Sequence, residues 1–134
     1  MITTPFIAWS SEMTVGVPFL DDEHRELIKL INELDAISAN ANRAEVESGL
    51  ACLATYAVKH FHDEESFMTR IHFSRIALHQ QQHDEFMTKV QSFLARLKGE
   101  DHTKLVLEIL DFLADWWLDH ILEEDKAYAL EADI

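Results

Sequence analysis

His24, His60 with Glu64, His79 with His83, and His120 with Asp125 are the residues of this chain whose types and spacing suit chemistry. Imidazole and carboxylate are common ligands of first-row transition metals, and these seven, spread over four helix-like segments, read as a two-metal site. Two of the pairs, HxxxE (60 to 64) and HxxxH (79 to 83), have four-residue steps. That spacing stacks both side chains on one face of a helix. The residues also stand on the apolar seams of their segments, where an uncompensated imidazole or carboxylate costs on the order of several kcal/mol. A metal ion supplies that compensation.

The elements that must position them follow from composition and periodicity. With 134 residues and 48% hydrophobic content the chain suits one domain with a real core. It holds three glycines and two prolines, both prolines within the first 18 residues, which favours long helices over strands. Residues 1 to 20, with Phe6, Trp9, Gly16 and Phe19, are expected to form an extended arm packed onto the body. Asp21 or Asp22 can cap a first helix with the stripe Leu20, His24, Leu27, Ile31, Leu34. After the polar stretch 38 to 43, a second helix to about Arg70 carries Val46, Leu50, Leu53, Ala57, His60, Glu64 and Phe67 on one seam. The segment 71 to 75 breaks the pattern. A third helix then runs Ile76, His79, His83, Phe86, Val90, Phe93, Leu97, stopped by Gly99 as a C-cap, and a fourth carries Val106, Ile109, Leu113, Trp116 and His120.

Four helices joined by short turns predict an all-α, up-down-up-down bundle, residues 21 to 134, behind the arm. In that topology His24 and His79/His83 lie near helix starts, while His60/Glu64 and His120 lie near helix ends, so all of them fall at the same end of the bundle. Scattered core histidines would not do this. The other three histidines, His62, His72 and His102, fall off the seams or in turns and read as surface residues. Glu64 keeps register with His60, so its neighbour Glu65 reads as solvated. Periodicity alone selects Glu124 rather than Asp125 as the partner of His120, because a five-residue step turns about 140° around an α-helix.

Composition also excludes functions. A formal charge of −14, from 11 basic and 25 acidic residues, repels phosphate backbones and anionic lipid, which argues against nucleic-acid and membrane-surface partners. No apolar run approaches the roughly 20 residues that span a bilayer, and the first residues lack the basic and apolar regions of a secretion signal. A cytoplasmic monomer is the expectation. The one cysteine, Cys52, has no partner for an internal disulfide and is expected to be a small buried side chain.

At this point the chain resembles the hemerythrins, in particular the single-domain bacterial kind called bacteriohemerythrins, over nearly its whole length. The resemblance is carried by Trp9 and VGVPFLDDEH ending in His24, by HFHDEESFM with His60 and Glu64, by HQQQH with His79 and His83, and by HILEED with His120 and Asp125. The family pattern HxxxxD is what favours Asp125 over Glu124. The resemblance implies a non-haem diiron site: His79, His83 and His120 on one iron, His24 and His60 on the other, Glu64 and Asp125 bridging both together with an oxo or hydroxo group. Those ligands leave one position open, on the iron with two histidines.

The function thus implied is reversible binding of dioxygen, for carriage, storage or sensing, rather than an enzymatic reaction. Azide and similar small anions are expected at the same open position. Five neutral imidazoles and two carboxylates give less anionic donor charge than the glutamate-rich sites of bundle diiron oxidases, and the apolar seam should exclude water and protons. The family places a leucine against the oxygen pocket three residues before the fourth-helix histidine; here that residue is Trp117, which with Ile121 is expected to line the pocket and restrict access unless it turns outward. A diiron oxidase or peroxidase would need a proton donor near the open position, and the seams offer no polar residue besides the seven. Five histidines would equally accept zinc in a purely structural role, since affinity order does not favour iron.

Overall fold

A computed structural model describes residues 6–133, and among these no strand is formed. Four helices make the bundle: α1 (Pro18–Ile37), α2 (Arg43–Arg70), α3 (Ile76–Arg96) and α4 (His102–Asp119). From α4 the chain continues without a break through a π-helical turn, His120–Asp125, into α5 (Lys126–Glu131). The connections at 38–42, 71–75 and 97–101 are too short to cross the bundle, so successive helices run antiparallel.

α1 begins earlier than expected, and the lead-in, which ends at Val17, is not extended throughout but holds a 3-10 turn at Ser11–Met13. Pro18 occupies the first helical turn, where its fixed φ suits a helix and its missing N–H leaves nothing unpaired. Neither Asp21 nor Asp22 caps the helix. Asp21 is buried in the first turn, accepting from the Val15 amide at 2.9 Å and the Thr14 hydroxyl at 2.5 Å, and Asp22 pairs with Arg25 on the surface at 3.1 Å. The lead-in is fastened further back by Asn32, whose side-chain amide makes two 2.8 Å hydrogen bonds with the main chain of the buried Ile7. Trp9 lies beneath the Arg25 guanidinium, 4.4 Å from it. Residues 1 to 5 of the expected arm lie outside the described residues.

α2 starts with a complete capping box, in which Asn42 and Glu45 each accept from the other's backbone amide. Arg43 reaches the carbonyls of Leu97 and Glu100, tying the α3–α4 turn to the foot of α2. Gly49 allows α1 and α2 to approach closely, since a Cβ there would sit 3.1 Å from a Leu34 methyl. Two residues beyond the end of α2, His72 has a left-handed φ of 55°; a non-glycine residue there carries strain, although histidine tolerates it better than most. Gly99 does not act as the expected left-handed cap, because the chain leaves α3 through a right-handed turn at Leu97. Cys52 is exposed rather than buried, since it falls between the seam positions Leu50 and Leu53 on the outward side of α2.

The core has two parts. The larger cluster holds Leu27, Ile31, Leu53, Phe86, Leu113 and Trp117 among others; a smaller one, at the other end of the same helices, holds Val15, Leu20, Met68, Phe73, Tyr128 and Ala129. Between them lies a buried polar layer. On α1 the order is Leu20, His24, Leu27; on α2, Phe61, Glu64, Met68; and in the last helix Trp117, His120, Asp125, Tyr128.

Candidate metal centre

The structure brings all seven predicted residues together. His24, His60, Glu64, His79, His83, His120 and Asp125 are each at most 3% exposed, and they arrange around the two carboxylates in a definite pattern. Glu64 Oε1 lies 2.9 Å from Nε2 of both His79 and His83 and 3.7 Å from Nε2 of His120. Its other oxygen, Oε2, lies 3.4 and 3.3 Å from Nε2 of His24 and His60. Asp125 divides the same way, with Oδ1 at 3.0 and 3.1 Å from His79 and His120, and Oδ2 at 2.9 Å from His24. Glu64 therefore divides its oxygens between a three-histidine group and a two-histidine group, and Asp125 divides its own between two members of the first and one of the second.

Asp125 reaches the layer because the helix changes pitch. In the π-helical turn the backbone bonds run from residue i to i+5, which brings a five-residue step back onto one face. His120 and Asp125 consequently share the inward side. Glu124, the choice of α-helical periodicity, is carried outward with Glu123 to the wall of a surface cleft of about 600 Å³ that His120 also lines.

Several of these polar atoms are buried without any hydrogen bond: Nδ1 and Nε2 of His24, Nε2 of His60 and both oxygens of Asp125. Orphaned groups of this kind each cost about 1 to 3 kcal/mol, and here they converge. The potential ligand atoms of Glu64, His79, His83 and His120 all lie within 4.8 Å of one another, as do those of His24, His60, Glu64 and Asp125. The donor set fits two metal ions, with imidazole nitrogens and carboxylate oxygens in proportions that suit iron or zinc.

Charge supports the same view. Burial by itself would lower the His24 pKa, but the facing Asp125 and Glu64 carboxylates outweigh it and raise it to about 10; the same balance raises His79 to about 10, and moves His60 and His120 upward. Burial would raise Glu64, yet the surrounding imidazoles hold it well below the usual carboxylate range. Asp125 is likewise depressed, the imidazoles of His120 and His24 overcoming burial and the repulsion of Glu64. Two ionised carboxylates in a buried layer demand positive charge, from protons or from metal.

The outer surroundings were only partly expected. Glu23, buried on α1, accepts from His60 Nδ1 at 2.8 Å and is itself held by Lys59 at 2.7 Å. Glu65 is not simply solvated: it accepts from His83 Nδ1 at 2.8 Å and from Gln80 at 3.3 Å. A carboxylate can only accept, so both histidines carry a proton on Nδ1 and turn Nε2 inward, the arrangement that orients metal-binding histidines. Phe61 stacks on the His83 ring at 3.9 Å and Trp116 on the His120 ring at 4.3 Å, fixing both planes. The buried Tyr128 hydroxyl donates to Glu64 Oε2 at 3.0 Å, so the layer does contain a further polar group beyond the seven. Its pKa is pushed well above 10 by burial, then by Glu64 and Asp125, which keeps the donor protonated.

Sequence position alone gave only a weak sign of these three. Glu23 and Glu65 each adjoin a seam residue, and Tyr128 follows Asp125 by one helical turn. Of the remaining residues singled out, Trp117 points inward, completely buried, with its ring 5.9 Å from that of His60. Ile121 is also fully buried, next to His120. His62 and His72 are exposed, while His102 is half-buried and lies 3.2 Å from the Ala41 carbonyl.

A bundle of four antiparallel helices with a buried histidine–carboxylate layer fitted to two cations defines a metal-binding four-helix protein. Residues 15–130 match the family described as the hemerythrin HHE cation binding domain. The chain belongs to the hemerythrin family. It is 30% identical to a bacteriohemerythrin of Methylococcus capsulatus, covering 91% of this chain and 93% of that protein, and 32% identical to one of Clostridium acetobutylicum, over 90% and 96%. Among solved structures, a wild-type hemerythrin superposes with a TM-score of 0.83 at 26% identity, over 96% of this chain and 99% of that one. A hemerythrin variant with one leucine replaced by alanine superposes with a TM-score of 0.84, also at 26% identity, over 98% of this chain and 100% of that one.

Proposed function

We propose that this protein binds dioxygen reversibly at a non-haem diiron centre. The observation that carries the reading is the division of the two carboxylates: Glu64 turns one oxygen toward His79, His83 and His120 and the other toward His24 and His60, and Asp125 turns one toward His79 and His120 and the other toward His24. His79, His83 and His120 would hold one iron, His24 and His60 the other, with Glu64 and Asp125 bridging the pair. Iron held by these residues would supply the redox chemistry of reversible dioxygen binding, the ligand being taken on the side of His24 and His60.

The chain's own residues do the rest. Glu23 and Glu65 fix the ring orientation of His60 and His83, and the two apolar clusters on either side keep bulk water from the layer. Tyr128 keeps its proton and spends it on Glu64, which favours binding over a proton-consuming oxidase reaction. Trp117 and Ile121 would border the open position, and the bulk of Trp117 would restrict access to it. Small anions such as azide are the expected competing ligands.

The test is the visible spectrum and metal content of protein purified from cells, before and after reduction and aeration. Charge-transfer bands that return with oxygen, and about two irons per chain, are expected. A colourless protein holding zinc, or rapid stoichiometric release of peroxide on aeration, would overturn the reading.

A further inference from the structure

Trp117 is completely buried, and among the described residues its indole Nε1–H has no hydrogen-bond partner. The chain has two other tryptophans, Trp9 and Trp116, and both are half-buried. An indole N–H that is fully desolvated normally finds an acceptor, and leaving it without one is unfavourable. Around the Trp117 ring, measured between ring centres, stand Phe61, stacked at 5.6 Å, Phe86 at 5.3 Å and Trp116 at 4.9 Å. These offer only ring faces, which are weak acceptors. The polar rings within reach are His60 at 5.9 Å and His120 at 6.3 Å, and both present Nε2 to the metal layer. His60 Nδ1 is already committed to Glu23.

We infer that the missing acceptor is the ligand itself, and that Trp117 is a hydrogen-bond donor to small anionic ligands held beside His60. The proposal rests on the diiron reading above, and it adds a selectivity that a purely apolar pocket lacks. A leucine at this position offers bulk alone, whereas an indole offers bulk and one buried proton donor. Such a donor favours ligands that carry or acquire negative charge, namely azide, other small anions, and dioxygen once it has drawn electron density from the metals. It gives no advantage to a neutral diatomic that stays neutral. Because the donor is unpaired beforehand, no internal bond has to break when the ligand arrives.

The experiment uses the iron-loaded ferric protein with azide as probe, comparing the parent with Trp117→Phe, which keeps an aromatic ring and removes the N–H. Azide affinity should fall about tenfold or more, the usual worth of a hydrogen bond to a charged group. In the parent, but not the variant, the azide stretching band should shift on transfer to deuterated solvent. In 15N-labelled parent protein, one of the three indole resonances should move on azide addition, and it should be the one absent from Trp117→Phe. If that variant does not fold, the solvent-isotope shift and a moving indole resonance in the parent decide the matter. Equal affinities, or a parent with no isotope shift and no indole response, would overturn the donor role and leave the diiron reading intact. A parent that takes up no iron or binds no azide would overturn both.

Discussion

Removing the metal should make the stability of this protein steeply dependent on pH, in a direction set by His24 and His79. Both are essentially inaccessible to solvent, and both are raised from 6.5 to about 10 by the Asp125 and Glu64 carboxylates acting against burial. Between those values the metal-free native state holds a proton on each that the unfolded chain releases. Stability is therefore complete below about pH 6.5 and is lost as pH rises toward 10. Each proton corresponds to about 1.4 kcal/mol per pH unit, so the pair gives a slope of about 3 kcal/mol per unit in the middle of the window, and His60 and His120, also raised, add to it with the same sign. A domain of this size has roughly 5 to 15 kcal/mol in all. Two pH units would remove much of it. Urea unfolding of chelator-treated protein at pH 6, 7, 8 and 9, followed by circular dichroism, measures the slope directly. Metal displaces the same protons, so the loaded protein should be nearly flat over this range and loading near pH 8 should release protons. A metal-free protein equally stable at pH 6.5 and 9, or a loaded protein with the same slope as the metal-free one, would refute the reasoning.

Other perturbations separate the parts of the site. Asp125→Asn should reduce bound metal from two ions per chain to one or fewer, whereas Glu124→Gln should leave metal content unchanged; equal metal content in the two variants would remove Asp125 from the ligand set. Glu23→Gln frees the His60 ring from its charged acceptor and should weaken metal retention about 10- to 100-fold, read by competition with a chelator. Trp117→Leu opens space beside His60 and should accelerate azide binding while lowering stability by about 1 to 3 kcal/mol, since a large buried ring is replaced by a smaller side chain; an unchanged rate would show that the ring does not control access. Asn42→Ala breaks the capping box of α2 and should cost about 1 kcal/mol in urea titrations, with metal content intact.

Six of the seven polar residues were legible as a group because each keeps the three- and four-residue steps of an α-helical seam, and because alternating helix directions put them at one level. Asp125 was legible only through family resemblance. A single π-helical turn leaves no mark in composition, and a period of 3.6 residues assigns its positions to the wrong side. The same blindness to local geometry explains α1: Pro18 and Gly16 look alike as helix breakers in a sequence, yet the proline starts the helix and the glycine, at φ 76°, makes the bend before it. Glu23 and Glu65 were invisible for another reason. Each stands one residue from a seam position, about 100° around the helix, and periodicity reports which face is buried but not which flanking side chain folds back over it.

The two-part core explains why so polar a layer can be built at all. Leu27, Leu53 and Phe86 on one side and Leu20, Met68 and Tyr128 on the other pack the helices together on both sides of the seven polar residues, so the layer need not be self-compensating. It can instead be left electrostatically incomplete, with two buried carboxylates and unpaired imidazole nitrogens that only cations satisfy. The same burial that makes an empty layer costly makes it selective, because protons satisfy it only below about pH 10 while a metal ion satisfies it throughout. Trp117 extends this logic by one group. It belongs to the apolar cluster by its ring and to the polar layer by its N–H, so it leaves one more unmet requirement where a ligand would arrive.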